Sequence, residues 1–138
     1  MKKMLTENEI VEKVADFLEI KGYNIKQFLQ TNQRGIDIIA EKENEVLYVE
    51  AKGETSATKT TKRFGKPFDR NQVKSHISVA LLATMKVISS KPNGNNTKVG
   101  IALPDNDEHR KVIKKIIPAL NQLDIILFWV TKDNVKIE

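Results

Sequence analysis

At 138 residues and 15.7 kDa the chain has the length of one domain and can bury a real core, since a domain of this size removes roughly two-thirds of its unfolded surface from water. It is 40% hydrophobic and 30% charged, with 10 residues of Gly and Pro together and no cysteine; this excludes collagen-like and low-complexity chains, disulfide frameworks, thiolate nucleophiles and Cys-ligated metals. No apolar run approaches the ~20 residues that cross a bilayer, and Met1-Lys2-Lys3 leads into charged residues rather than an apolar signal core, so the expected location is cytoplasmic with no membrane partner.

The first predicted element is a helix. Thr6 is its N-cap, Glu9 completes a capping box, Ile10, Val14, Phe17 and Leu18 form one apolar stripe, and Gly22 ends it. Residues 23–30 alternate irregularly and read as a strand, 31–35 as a turn, and Ile36 to Ala40 as a second strand. Residues 41–45 read as a charged hairpin turn before a third strand from Val46 to Lys52. Residues 53–67 lack periodicity and read as a loop. A long helix is expected from Asp69, as N-cap, to about Ser90. After a turn at 92–96 come a buried strand at 99–103, a helix at 107–121 that Pro118 should kink or stop, a very apolar strand at 125–130 holding Phe128 and Trp129, and a short edge at 135–137. The order α-β-β-β-α-β followed by α-β implies an antiparallel meander, a right-handed parallel crossover and a mixed α/β sheet flanked by helices.

Asp37 interrupts an apolar strand. A carboxylate there must lie at a sheet end, be paired, or bind a metal, because an isolated buried charge is far too costly. Glu50 ends the next strand, and Lys52 follows on the same face. A hairpin centred on residues 41–45 pairs Ile36 with Glu50 and sets Asp37 near Val49 and Glu50. A one-residue register shift or a bulge brings Asp37 and Glu50 onto a common site. Two carboxylates with waters suit Mg²⁺. Such an ion lowers the pKa of a bound water and stabilises phosphoryl charge, with a lysine beside it to orient or deprotonate the water. A purely structural ion triad is the competing interpretation.

Gly35-Ile36-Asp37-Ile38-Ile39-Ala40 followed by Val49-Glu50-Ala51-Lys52 resembles the PD-(D/E)xK nuclease superfamily, which includes restriction endonucleases and Holliday-junction resolvases. The resemblance covers about residues 5–103, with 105–138 as an extension of the same domain over residues 1–138. It implies a restriction-endonuclease-like core, Asp37 and Glu50 as ligands of Mg²⁺ (with Mn²⁺ as substitute), and Lys52 as the catalytic lysine. It further implies a first-helix acid, Glu9 with Glu12 as rival, and an early glutamine of the second core helix, Gln72. No proline precedes Asp37, a departure common in that superfamily.

Charge is unevenly placed. Residues 1–50 hold 7 Lys/Arg against 10 Asp/Glu, whereas residues 51–76 hold 7 against 2. A basic cluster points to a polyanion, most often nucleic acid, or else to a solvated Lys-rich loop. Lys59, Lys62, Arg63 and Lys66 leave the strand just after Lys52, suited to phosphate contact without base reading, and Arg70 and Lys74 follow on the next helix. Phe64 is either a hydrophobic pin for this loop or a base-stacking residue. His76 reads as a partly buried structural histidine and His109 as a surface one. The expected function is a Mg²⁺-dependent endonuclease acting on DNA. The alternatives are a catalytically silent nucleic-acid-binding module of the same fold and a structural or interaction protein. Sequence specificity would come from loops, a second copy or a partner subunit.

Overall fold

The computed structural model describes residues 4–29, 35–54 and 70–138. Its elements run α1 (Glu7–Ile20), β1 (Asn24–Phe28), β2 (Ile38–Lys42), β3 (Glu45–Ala51), α2 (Arg70–Ser90), β4 (Thr97–Pro104), α3 (Asp107–Lys114), α4 (Ile117–Gln122), β5 (Ile125–Val130) and β6 (Val135–Ile137). The expected element order holds, with the short edge strand present. The single helix expected over 107–121 is two. Pro118 sits in the first turn of α4, where it has no N–H to donate back to the preceding turn, and the chain breaks at Lys115–Ile116. The expected Asp69 cap, the Phe64 position and the basic residues Lys59, Lys62, Arg63 and Lys66 lie outside the described residues.

The six strands form one sheet in the order β1-β2-β3-β4-β5-β6. The first three are antiparallel, β3, β4 and β5 are parallel, and β6 returns antiparallel. Helix α1 covers one face, with Ile10, Val11, Val14 and Leu18 packed on Ile38, Leu47, Val49 and Phe128. Helices α2, α3 and α4 cover the other, with Val73, Ile77, Ile113 and Leu120 on Val99, Ile101, Leu127 and Trp129. Central strands covered on both faces read as continuous apolar runs, which is why 125–130 lacks alternation. No helix among the described residues is long and apolar enough to cross a membrane.

Two local features aim the chain at the sheet end. The β2–β3 turn is tighter than the charged five-residue turn expected. The ladder continues to Lys42 opposite Glu45, and Glu43 takes a positive φ of 58°. The register is therefore one residue away from the hairpin centred on 41–45. Ile38 faces Val49, and Asp37 follows directly opposite Glu50. The second feature is Gly53. A Cβ there would stand 2.4 Å from the backbone nitrogen of Glu7 and 2.6 Å from the carbonyl carbon of Thr6. Backbone lies on backbone at this seam, and Glu54 N–H donates to the Leu5 carbonyl at 2.8 Å. Only glycine permits that approach.

Gly53→Ala should therefore lower stability by about 1–3 kcal/mol, the usual cost of forcing an extra carbon into a packed site. Urea denaturation of the two proteins measures it, and an unchanged midpoint would mean that the seam yields.

Candidate active site

Asp37 immediately precedes β2, and Glu50 lies near the end of β3. Register places their side chains on the same face, since directly opposed residues of an antiparallel pair share a face. That face is the one covered by α2, because Ile38 and Val49 point toward α1. The Asp37 Oδ2 accepts the Ala51 N–H at 2.8 Å, and Glu50 accepts the Asp37 backbone N–H. The two carboxyl groups lie close enough to act on each other electrostatically.

Burial raises both acids. Glu50, 9% exposed, is pushed to about 7, first by burial, then by the negative charges of Asp37 and Glu7, against the opposing pull of Lys52. Asp37 is raised by burial, with the Ala51 N–H and Lys52 opposing. Two close, half-buried carboxyl groups do not both ionise at their ordinary pH without a cation beside them.

Lys52 leaves the end of β3, its backbone N–H still bonded to Ala102 at 3.0 Å in the parallel ladder. Its Nζ lies 3.8 Å from Glu7 Oε1, at the first turn of α1. Glu7 is raised by burial and by Asp37 and lowered by Lys52, so it belongs to the same electrostatic cluster. The first-helix acid beside Lys52 is thus Glu7. Glu9 Oε1 instead accepts the Thr6 N–H at 3.0 Å while Thr6 Oγ1 accepts the Glu9 N–H, the reciprocal capping box. This folds the Glu9 carboxylate back onto the cap of α1. Glu12 is exposed one turn further on. The signal that separates the two roles is in the sequence: a capping box commits its third helical residue, and Glu7 is the remaining acid of that turn.

Gln72 and His76 are half-buried on α2. Burial lowers the His76 imidazole, and the Lys52 charge lowers it further. Arg70 and Lys74 are exposed at the start of the same helix. His109, read from sequence as a surface residue, is 1% exposed. It lies in the first turn of α3, which packs on α2. Its Nδ1 is 2.8 Å from Asn106 Oδ1, which also caps the helix by accepting the His109 N–H. Asn106 Nδ2 donates to Glu54 Oε2 at 2.9 Å, and Glu54 Oε1 accepts the Leu5 N–H at 3.0 Å. The carboxylate fixes the amide orientation, so the His109 proton is on Nδ1. Burial pushes this imidazole down to about 4.

Among the described residues no group of three or more His, Asp or Glu is gathered tightly enough to hold a metal ion. The donor set at the sheet end is the Asp37–Glu50 pair. All its donors are hard oxygens, and their mutual repulsion is what a cation would relieve. Such a pair fits Mg²⁺ or Mn²⁺, which take one or two carboxylates and keep several waters. Glu50 opens onto a groove of about 430 Å³ that Ile36, Val79, Leu82 and Lys86 also line.

Residues 3–80 match the family model Mrr_cat, described as restriction endonuclease, and that stretch contains Asp37, Glu50 and Lys52. The chain is also similar in fold to the crystal structure of an XisH family protein from Nostoc punctiforme PCC 73102, with a TM-score of 0.53 and 16% identity over 94% of this chain and 95% of that one. No curated protein matches.

Glu50 and His109 oppose each other in pH dependence. Glu50 keeps, to about pH 7, a proton that an ordinary glutamate loses near 4.5, so stability falls as pH rises through that window. His109 titrates near 4 instead of 6.5, so the unfolded chain binds the extra proton and stability rises with pH there. Each displacement is worth up to about 3 kcal/mol, and the two offset between them. In metal-free buffer Glu50→Gln should expose the rising limb from pH 4.5 to 6.5 and exceed the wild type in stability above pH 7. Urea unfolding across pH checks this; parallel profiles would mean that Glu50 holds no such proton.

Proposed function

Since the chain belongs to the Mrr_cat restriction endonuclease family, we propose that it hydrolyses phosphodiester bonds of DNA, with Asp37 and Glu50 holding a divalent cation and Lys52 serving the attacking water. The observation that carries this reading is the convergence of two acids and a lysine at one sheet end: Asp37 anchored on the Ala51 N–H, Glu50 across the hairpin from it, and Lys52 leaving the same strand end. Three chain segments meet there, and a purely structural pair would be better served by an acid and a base than by two acids.

Roles follow from placement. Asp37 is anchored by the Ala51 N–H and Glu50 by the Asp37 N–H, so both carboxyls are oriented before any ligand arrives. When bound, a Mg²⁺ or Mn²⁺ ion supplies charge neutralisation at the phosphoryl oxygen and a more acidic water. The Lys52 ammonium offsets negative charge that develops on the phosphate and orients the water. Glu7 is a positioning residue, since its carboxylate holds Lys52 at the mouth of the site. Gln72 lies in the first turn of α2, one turn before His76, which feels the Lys52 charge. Lys59, Lys62, Arg63, Lys66, Arg70 and Lys74 are proposed to contact phosphates.

Asp37→Asn and Glu50→Gln should each weaken Mn²⁺ binding in isothermal titration, because each removes a charged ligand. Lys52→Ala should retain Mn²⁺ binding and lose at least about 100-fold in cleavage of labelled duplex, single-strand or four-way-junction DNA, the scale expected when one charge-stabilising group is removed. If the wild type cleaves none of these with either ion, a silent nucleic-acid-binding module is the better reading. Equal cleavage by Lys52→Ala would overturn its assigned role.

A further inference from the structure

A second concentration of charge lies on the α2–α3 face. Arg70 and Lys74 of α2 and Lys111, Lys114 and Lys115 at the end of α3 line one cleft of about 620 Å³, with Glu108 the single acid among the described lining residues. Among the described residues five cations stand against one acid in this lining. Glu108 is shared between Arg70, at 3.3 Å, and Lys111, at 3.8 Å. Lys74, Lys114 and Lys115 make no ion pair among the described residues, and all three are exposed.

Lysines scattered over a convex surface are solvated and carry no message. Here two helices turn theirs into one concavity, where low-dielectric walls focus the field of the clustered cations. Such a cleft is relieved by an external anion. Topology sets its position. Helix α2 starts after the end of β3 that carries Glu50 and Lys52, and α3 starts after the matching end of its parallel neighbour β4. Both helix starts therefore stand at the sheet end that bears the carboxyl pair.

We propose that the α2–α3 cleft binds the phosphate backbone of DNA flanking the cleaved bond, with Lys111, Lys114 and Lys115 as contacts beyond those assigned above. This rests on the nuclease reading of the Asp37–Glu50 site. Lysines act as point charges without base-edge readout, so the contact is independent of sequence. It lengthens the footprint and holds the strand while the scissile phosphate is engaged.

The test is the salt dependence of binding to a fluorescently labelled 30-base-pair duplex, read by anisotropy in metal-free buffer with the full chain. Log affinity falls with log salt by about 0.9 per neutralised phosphate. The triple variant Lys111→Gln, Lys114→Gln, Lys115→Gln should flatten that slope by about 2 to 3 and weaken binding at 100 mM salt at least tenfold. The control Lys21→Gln, Lys91→Gln, Lys98→Gln removes equal charge at the opposite end of the sheet and should keep the wild-type slope. Melting curves establish that both variants fold. Equal slopes for the two triple variants would overturn the proposal, as would a cleft in service of an acidic protein, which leaves the DNA slope unchanged. Cleavage in Mn²⁺, measured alongside, separates the two claims. A wild type that cleaves while the cleft variant keeps its slope refutes the cleft alone. A flattened slope without wild-type cleavage refutes the enzyme reading and supports the cleft. A wild type that neither binds nor cleaves DNA refutes both.

Discussion

The register of the β2–β3 hairpin governs the site. Side chains alternate along a strand, so a slip of one residue moves every one of them to the other face. With Ile38 opposite Val49, those two enter the core under α1, and Asp37 and Glu50 are left together on the α2 face. One residue the other way, Asp37 would oppose Val49 and lie across the sheet from Glu50. The two-residue turn with Glu43 in the left-handed region is what selects the first arrangement. Core packing reinforces it, because Ile38, Ala40, Leu47 and Val49 are buried together in one cluster.

Once the two acids share a face, burial and repulsion do the rest. Glu50 cannot ionise at its ordinary pH beside Asp37 in a largely water-excluded position, and the pair keeps a proton. Lys52 offsets part of this charge, and Glu7 offsets part of Lys52. Among the described residues, three acids (Asp37, Glu50 and Glu7) share the one base Lys52. A structure that only needed stability would have placed apolar residues at this sheet end, where Ala51 and Ala102 already pack without cost.

Holding Glu7 at the site is a backbone problem. The Gly53 seam brings the exit of β3 onto the first turn of α1, and the Glu54 carboxylate spans from the Leu5 N–H to Asn106. Asn106 in turn caps α3 and fixes the proton of buried His109. The polar chain from Leu5 through Glu54 and Asn106 to His109 is thus a tie between the starts of α1 and α3 and the end of β3. It also positions α3 so that its later lysines face α2.

Local periodicity was enough for the element order, the α1 capping box and the double-sided burial of β5, because each depends on neighbours within a few residues. Asp37, Glu50 and Lys52 were legible for a related reason. A carboxylate in an apolar strand and an acid–base pair at spacing two announce themselves without knowledge of the rest of the chain. Other features were decided only by contacts between distant segments. The hairpin register depended on the φ of one turn residue and on core packing summed over both strands. The capping box had already committed Glu9, but that Glu7 meets Lys52 follows from the Gly53 seam, which fixes where α1 begins relative to β3. His109 was misread as exposed since its charged neighbours Asp107, Glu108 and Arg110 lie on other sides of a helix whose direction is set by packing on α2. Sequence carries what a residue can do within its own turn or strand; which distant residue it meets is settled by burial, and burial belongs to the folded chain as a whole.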